Sequence, residues 1–164
     1  MTKRFLGTVI LPGMFDPVTT GHMNSLKYLS ERSNKVIAVI MTLKSEEKNR
    51  WIPSETMKQL IEEAIAEEKL DNVSVYIENE GWLAHSVESL AADGVARSFH
   101  PNINIGKEME LIQSVIELGI PVHLIPSHLE LRSSHIRWLS EEKLMEEFKE
   151  QVPASVYRYI QENM

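Results

Sequence analysis

Cysteine is absent from the 164 residues of this sequence. Its absence excludes disulfides, thiolate metal ligands and thiol nucleophiles, so any chemistry has to use oxygen, imidazole or cationic groups. Apolar runs of membrane-spanning length are also missing, and residues 1–7 contain no apolar stretch as long as that of a signal peptide. We therefore expect a cytoplasmic protein without a membrane segment.

Basic residues are too few and too dispersed to form a nucleic-acid-binding face. The formal net charge is -7, and phosphate-backbone affinity needs a concentrated patch of Lys and Arg. We expect no nucleic-acid partner, although a few local cations can still hold a small anionic ligand. The histidines form no zinc pattern, because His123, His128 and His135 fall on a strand, a loop and a helix start, and no protein metal site is predicted.

Short apolar runs alternate with segments of helical periodicity along the chain. They predict a βαβ series and a doubly wound α/β fold, with a mostly parallel five-stranded sheet covered on both faces. Ligands bind beyond the carboxyl ends of the strands in such sheets. Length and composition predict a single domain, residues 1–164, with a core of about 8–139 and a helical extension of about 140–164 interrupted by Pro153. The predicted strands are residues 8–11, 35–41, 73–77, 95–97 and 122–125.

Two kinds of helix end are recognisable in the sequence. Ser54, directly after Pro53, can cap the amphipathic helix that follows it. Gly94 and Gly119 each stand between a helical segment and a strand-like one, as a left-handed C-terminal stop requires. We expect both glycines to end helices.

The segment PGMFDPVTTGHM, residues 12–23, connects the first strand to the first helix. It delivers the imidazole of His22 to a helix N-terminus, where unpaired amides and the positive end of the helix favour a phosphate group. His22 can donate a hydrogen bond to such a phosphate. On spacing alone, a capped turn with a solvated histidine is an equally good interpretation.

The longer strings around this turn carry a family resemblance. Residues 12–22, PGMFDPVTTGH, resemble the N-terminal signature of the phosphopantetheine adenylyltransferases, and residues 131–137, LRSSHIR, resemble the ISSTxIR motif of the wider HxGH nucleotidyltransferase superfamily. The resemblance covers roughly residues 9–139 and implies a Rossmann-like nucleotidyltransferase fold. It also implies the activity: transfer of AMP from ATP to 4′-phosphopantetheine, which gives dephospho-coenzyme A and pyrophosphate in coenzyme A biosynthesis.

The resemblance further implies which residues form the site. His22 would stabilise charge developing around the α-phosphoryl group, and Lys48, with Lys44 as the fallback, would hold the attacking phosphate. From the loop sequence alone, Lys48 is better interpreted as a solvated cation. The implied acceptor-binding residues are Met14, Lys48, Leu83 and Arg97. The implied ATP-binding residues are Met14, Phe15, His22, Ser98, Phe99, His100, Glu108, Leu131, Arg132, Ser133, Ser134 and Arg137, with Ser133, Ser134 and Arg137 on the β- and γ-phosphates.

Three features depart from the family pattern. Met14 replaces a serine or threonine, and its thioether cannot donate a hydrogen bond, a loss of about 1.5–3 kcal/mol when the acceptor is charged. His100 replaces an arginine, and an imidazole is mostly neutral at pH 7. Residues 126–130 are a shorter segment than the family counterpart, which carries an aromatic residue near the adenine. Arg132 stands where the family has serine and can supply the missing charge, although a solvated surface arginine fits equally well.

The resemblance implies Mg²⁺ carried mainly by phosphate oxygens and water, as in most nucleotide chemistry. The implied partners are ATP, a phosphorylated small-molecule acceptor and further copies of the chain, a hexamer by resemblance. Two alternatives stay open. One is adenylyl or cytidylyl transfer to another phosphorylated small molecule such as nicotinamide mononucleotide. The other is a catalytically impaired nucleotide-binding relative, which Met14 and His100 together would allow.

Overall fold

The computed structural model describes residues 6–99, 104–127 and 133–164. No helix within these ranges is both long enough and apolar enough to cross a membrane. The five strands are β1 (Thr8–Gly13), β2 (Lys35–Met41), β3 (Val73–Glu78), β4 (Gly94–Phe99) and β5 (Val122–Pro126). The described residues contain seven α-helices: α1 (Thr20–Ser30), α2 (Ser54–Glu67), α3 (Leu83–Ser89), α4 (Ile105–Glu117), α5 (Ser133–Glu141), α6 (Met145–Gln151) and α7 (Ala154–Asn163).

The strands form one sheet in the order β3-β2-β1-β4-β5, and every neighbouring pair is parallel. The predicted doubly wound five-stranded sheet is therefore confirmed. The chain builds outward from β1 to β2 and β3, and then returns to place β4 on the other side of β1. The connections after β1 and β4 diverge at this reversal, which opens a crevice beyond the carboxyl ends of the two strands.

Alternating residues of each strand supply the two faces of the sheet. On β1, Val9 and Leu11 join a core cluster that contains the buried faces of α1 and α2. Ile10, between them, joins a second cluster with the apolar side chains of α3 and α4. Both faces of β1 are thus fully covered, as the nearly continuous apolar runs of the sequence require.

The C-terminal helices extend the first of these cores. Pro153 occupies the cap position of α7 and separates it from α6, as predicted, because proline lacks the amide hydrogen that a continuous helix would need. Phe148, Val156 and Ile160 are buried in the same cluster as Val9. The helices after α5 therefore share a hydrophobic core with the β1 face of the sheet.

The prediction that Ser54 caps α2 is wrong. Ser54 is the first residue of the helix, and the cap position is held by Pro53, whose side chain makes no hydrogen bond. The amide of Ser54 instead donates to the Glu47 carboxylate at 2.7 Å. An acidic side chain from the preceding turn thus satisfies one unpaired amide of the helix.

The two glycines expected to end helices behave differently. Gly119 has a φ of 75° just after α4, as predicted. Gly94 instead lies in β4, and Ala91 takes the left-handed conformation after α3, with a φ of 48°. A Cβ atom on Gly94 would lie 2.6 Å from Nε2 of His123, so this glycine serves the close packing of β4 against β5.

Gly119 allows a clean test of backbone conformation. A Cβ added there would meet no atom within 4 Å, so the Gly119→Ala variant should be destabilised only by the left-handed backbone, by about 1 kcal/mol. Gly106 lies in the first turn of α4 with φ outside the left-handed region. Gly106→Ala should be neutral or stabilising by up to about 1 kcal/mol. Urea denaturation measures both, and equal effects of the two changes would contradict the assignment.

Candidate active site

A cavity of about 660 Å³ opens beyond the carboxyl end of β1. Its walls come from the loop after β1, the segment before α2, the first turn of α1 and one side of α5, and its size is that of a small-molecule site. It brings His22 together with the Ser133, Ser134 and Arg137 side chains, which are far away in the sequence. The lining residues are Met14, Phe15, Asp16, His22, Asn49, Arg50, Trp51, Ser133, Ser134, Arg137 and Glu141.

His22 is the third residue of α1 and closes its capping box with Thr19. The Thr19 amide donates to His22 Nδ1 at 3.0 Å, and the His22 amide donates to Thr19 Oγ1 at 3.3 Å. The Phe15 ring packs edge-on against the imidazole, with 4.8 Å between ring centroids. Because Nδ1 accepts a backbone hydrogen bond, a neutral His22 carries its proton on Nε2. The side chain therefore offers a donor whose orientation is fixed.

The charge state of His22 follows from its surroundings. Burial of the ring, together with the positive charge of Arg97, lowers the pKa of His22 from 6.5 to about 4. The imidazole is consequently neutral at pH 7. It can stabilise a phosphate as a hydrogen-bond donor, and the positive charge of the site has to come from other groups.

Side chains hold the loop between β1 and α1 by its carbonyl oxygens. All four consecutive carbonyls of residues 14–17 accept a hydrogen bond from a side chain. Arg50 bonds the first two at 2.9 and 3.0 Å, Arg137 the third, and the Ser133 hydroxyl the fourth at 3.1 Å. Two of these three donors come from α5, so the cavity wall and the second motif region are directly joined.

Asp16 makes the reciprocal connection from the same loop. Its two carboxylate oxygens accept the amides of Trp51 and Ile52, at 2.9 and 3.0 Å. Arg50 donates a hydrogen bond from Nε to the Ile52 carbonyl at 3.0 Å, and its Nη2 lies 3.8 Å from Asp16 Oδ1. Asp16 is 7% exposed, so these bonds satisfy a nearly buried charge. The loop after β1 and the segment before α2 are therefore fixed to each other.

Arg97 and Glu108, assigned to the acceptor and to ATP from the sequence, are bonded to each other. Arg97 donates from Nε and Nη2 to the two oxygens of Glu108, in a bidentate ion pair, and from Nη1 to the Pro12 carbonyl at 2.8 Å. Neither residue is among those that line the cavity. The positive charge of Arg97 still reaches the site, since it helps to lower the pKa of His22.

Lys48 is exposed and is not among the lining residues of this cavity, although the residues that follow it are. It lies in a 3-10 turn, Glu47–Asn49, and Asn49, Arg50 and Trp51 form part of the cavity wall. Lys44 is exposed as well. The cation that the structure places at the cavity from this segment is Arg50.

The remaining sequence predictions divide into three groups. Met14 and Phe15 both line the cavity, Met14 with 67% of its surface exposed and Phe15 as a buried side chain. Leu83 is buried in the core cluster on the other face of the sheet, Ser98 Oγ lies 3.1 Å from Ser25 Oγ, and Phe99 is half-exposed at the end of β4. Outside the described residues lie His100, Leu131 and Arg132.

Five lining residues were not predicted from the sequence. Asp16 lies within the first motif and is flanked by predicted residues, so the motif itself contained a signal for it. The segment before α2 contained no pattern that would favour Arg50 over its neighbouring cations. The five are Asp16, Asn49, Arg50, Trp51 and Glu141.

Comparison with known proteins identifies the family. The sequence matches the cytidylyltransferase-like family over residues 10–137. The chain belongs to this family of nucleotidyltransferases. The expected family membership is thereby confirmed, and the match runs from β1 through the arginine of the second motif region.

Among curated relatives, this nucleotidyltransferase resembles phosphopantetheine adenylyltransferases. It is 31% identical to that of Limosilactobacillus reuteri over 102 residues, which are 62% of this chain and 56% of the relative. The alignment thus spans little more than half the length of that relative. Identity to the enzyme of Actinobacillus succinogenes is 30% over 122 residues, 73% of each chain.

Two solved structures show the same fold at lower identity. A Vibrio parahaemolyticus protein assigned as a nicotinate-nucleotide adenylyltransferase superposes with a TM-score of 0.68, at 17% identity, over 94% of this chain and 98% of its own. A bifunctional NMN adenylyltransferase/ADP ribose pyrophosphatase of Francisella tularensis, complexed with AMP and a manganese ion, gives 0.66 at 14% identity, over 95% of this chain and 48% of its own.

The low pKa of His22 gives this nucleotidyltransferase a measurable pH signature. In an NMR titration, the His22 ring should titrate near pH 4, whereas His85 should titrate above 6.5, because its bond to Glu78 raises its pKa. Between pH 6.5 and 4, the imidazole of residue 22 is protonated in the unfolded chain but stays neutral in the native protein. The free energy of unfolding should therefore fall by up to about 3 kcal/mol as the pH decreases through that window.

His22→Gln is the matched control for this measurement, because glutamine retains the capping box with Thr19 but does not titrate. Its free energy of unfolding should decline less steeply between pH 6.5 and 4. A His22 resonance that titrates near 6.5 in the native protein would contradict the lowered pKa and the neutral imidazole.

Proposed function

We propose that this chain transfers AMP from ATP to 4′-phosphopantetheine, releasing dephospho-coenzyme A and pyrophosphate. The observation that carries the proposal is the shared cavity, where the imidazole of α1 meets the hydroxyl and arginine side chains of α5. The names of the curated relatives support the acceptor, since two of them are phosphopantetheine adenylyltransferases at 30% and 31% identity. The AMP bound by the Francisella tularensis protein is consistent with the nucleotide.

The proposed reaction is an in-line substitution at phosphorus. A phosphate oxygen of the acceptor attacks the α-phosphorus of ATP, and the bond from that phosphorus to the oxygen bridging to the β-phosphate breaks. Pyrophosphate leaves with the electron pair of that bond, and no covalent enzyme intermediate is needed. The protein contributes alignment and charge stabilisation, which in phosphoryl-type transfers supply most of the catalysis.

His22 suits this chemistry as a neutral donor. Its Nε2 hydrogen stabilises charge that develops around the α-phosphoryl group, while the positive N-terminal ends of α1 and α5 favour the phosphates. Ser133, Ser134 and Arg137 hold the β- and γ-phosphates in this proposal. Arg97 adds a positive charge close to His22, on the side we assign to the acceptor.

Lys48 remains the proposed partner of the attacking phosphate. It adjoins Asn49, which lines the cavity, and its long side chain on an exposed turn is free to reach a ligand. This role needs a movement of the lysine toward the acceptor, whereas His22, Ser133, Ser134 and Arg137 already line the cavity.

In this proposal, magnesium is an ion held mainly by the substrate. Within the described ranges, no group of three or more His, Cys, Asp or Glu residues is arranged to hold a metal. Asp16 is a poor ligand because both of its oxygens already accept backbone amides, which leaves the Glu141 carboxylate as the acidic group of the cavity wall with ligand capacity. When bound, Mg²⁺ would offset the charge of the phosphates, coordinated mainly by their oxygens and by water.

An acceptor panel tests the proposed function directly. Purified protein with ATP and Mg²⁺ should release pyrophosphate when 4′-phosphopantetheine is added, and mass spectrometry should identify dephospho-coenzyme A. Product formed only from nicotinamide or nicotinate mononucleotide would change the acceptor. Turnover with none of them, together with retained ATP binding, would show the catalytically impaired relative instead.

Two histidine variants test whether the reaction takes place in the cavity. His22→Gln should lower kcat by about 100-fold or more, because one donor to the developing charge is lost. His123→Gln is the matched control, since His123 lies near the amino end of β5, at the opposite edge of the sheet, and should leave kcat within twofold. Equal losses in both variants would remove His22 from its proposed role.

A further inference from the structure

Arg50 is a buried cation at the wall of the cavity. Its side chain is 2% exposed, yet it is one of the residues that line the cavity. A guanidinium is seldom buried without a purpose, because removing a charge from water is costly unless partners and geometry compensate for it. What its hydrogen atoms contact is therefore informative.

Three of the five guanidinium hydrogens are used within the chain. Nε donates to the Ile52 carbonyl, Nη1 to that of Met14 and Nη2 to that of Phe15, at 2.9 to 3.0 Å. Since each terminal nitrogen carries two hydrogens, these bonds leave one on Nη1 and one on Nη2 without an acceptor in the described part of the chain. The planar group is thus fixed in place, and among the described residues one donor on each terminal nitrogen has no partner.

Asp16 compensates the charge of Arg50 without using these two donors. Its nearest oxygen is 3.8 Å from Nη2, beyond a hydrogen bond, and its carboxylate is bonded to the amides of Trp51 and Ile52. The ion pair therefore makes burial of the guanidinium tolerable in the free protein. It also leaves the guanidinium able to bind an anion through the two terminal nitrogens.

Arg50 and Arg137 hold successive carbonyls of one loop. Arg50 bonds the Phe15 carbonyl, and Arg137 bonds that of Asp16, the next residue. Both arginines also line the same cavity, so a diphosphate bound there can contact the two of them. Arg137 belongs to the wall that we assign to the β- and γ-phosphates.

We propose that Arg50 is a phosphate-binding residue, which contacts the β- and γ-phosphates of the nucleotide and so the departing pyrophosphate, while its other hydrogens hold the loop of residues 14–17. This inference rests on the proposed function, because it takes a nucleoside triphosphate as the ligand. Little side-chain entropy is lost on binding, since the guanidinium is already held by three bonds. Arg50 also supplies a permanent positive charge next to Met14, whose thioether cannot donate a hydrogen bond to a phosphate.

The affinity ratio of ATP to AMP separates phosphate binding from a purely structural role. AMP lacks the β- and γ-phosphates but shares the rest of the nucleotide. We expect Arg50→Gln to weaken ATP binding at least tenfold more than AMP binding, measured by calorimetry at one Mg²⁺ concentration. Equal weakening of both nucleotides, or no change in either, would show that Arg50 only holds the loop and would overturn the inference.

Two further variants complete the design. Arg50→Lys keeps the charge and loses the planar fork, so it should restore part of the ATP to AMP ratio, and it carries the test if Arg50→Gln does not fold. If both variants fold and the ATP to AMP affinity ratio of Arg50→Lys is no higher than that of Arg50→Gln, the proposal is contradicted. If Arg50→Gln does not fold, an affinity ratio in Arg50→Lys equal to that of the wild-type protein contradicts it. Arg158→Gln removes an exposed arginine that pairs with Glu63 and Glu67, and should leave the ratio unchanged.

The wild-type protein distinguishes this inference from the proposed function. A wild-type chain that binds neither ATP nor AMP would contradict the proposed function itself. A chain that binds both, with an affinity ratio that the Arg50 variants leave unchanged, would contradict only the role of Arg50.

Discussion

The loop that leaves β1 depends on side-chain donors for its carbonyl oxygens. It departs from the sheet before α1 begins, so neither a strand ladder nor a helix can pair these groups, and unpaired buried carbonyls are costly. Arg50, Ser133 and Arg137 supply the donors from two distant parts of the chain. Bonds to charged donors are worth about 1.5–3 kcal/mol each. The shape of the cavity is therefore a consequence of how this loop is satisfied.

The C-terminal helices support the same region from behind. The hydroxyl of Thr20, the first residue of α1, donates to the Glu150 carbonyl of α6 at 3.2 Å. In α7, the buried Ser155 hydroxyl donates to the Leu60 carbonyl of α2 at 2.7 Å. These bonds join the start of α1 and the middle of α2 to the last two helices. The extension thus helps to hold the two helices whose preceding loops form the cavity wall.

The sheet was predictable from the sequence because its strands are buried on both faces and therefore appear as short apolar runs. His22 and the α5 residues could be predicted for a different reason, since their motifs resemble those of a known family. Helix ends were harder. Ala91, not Gly94, takes the left-handed conformation after α3, because Gly94 is needed where β4 packs against His123.

Contacts between distant segments could not be predicted from the sequence. The pairing of Arg97 with Glu108 depends on how α4 lies against the end of β4, which no local pattern encodes. Likewise, Lys48 and Arg50 are two cations in one short segment, and only the folded chain shows that Arg50 is buried against Asp16 while Lys48 stays exposed. A motif identifies residues that a family shares, and it cannot identify a cation whose role is set by tertiary packing.

The uncharged imidazole of His22 also bears on how the protein would respond to acidity. With a pKa of about 4, its protonation state is constant across mildly acidic and neutral conditions. A phosphate monoester loses its second proton at a pH of about 6. If the acceptor carries such a group, a decline in turnover between pH 7 and 5.5 would originate in the small molecule as its nucleophilic dianion disappears, with the enzyme's own donor unchanged.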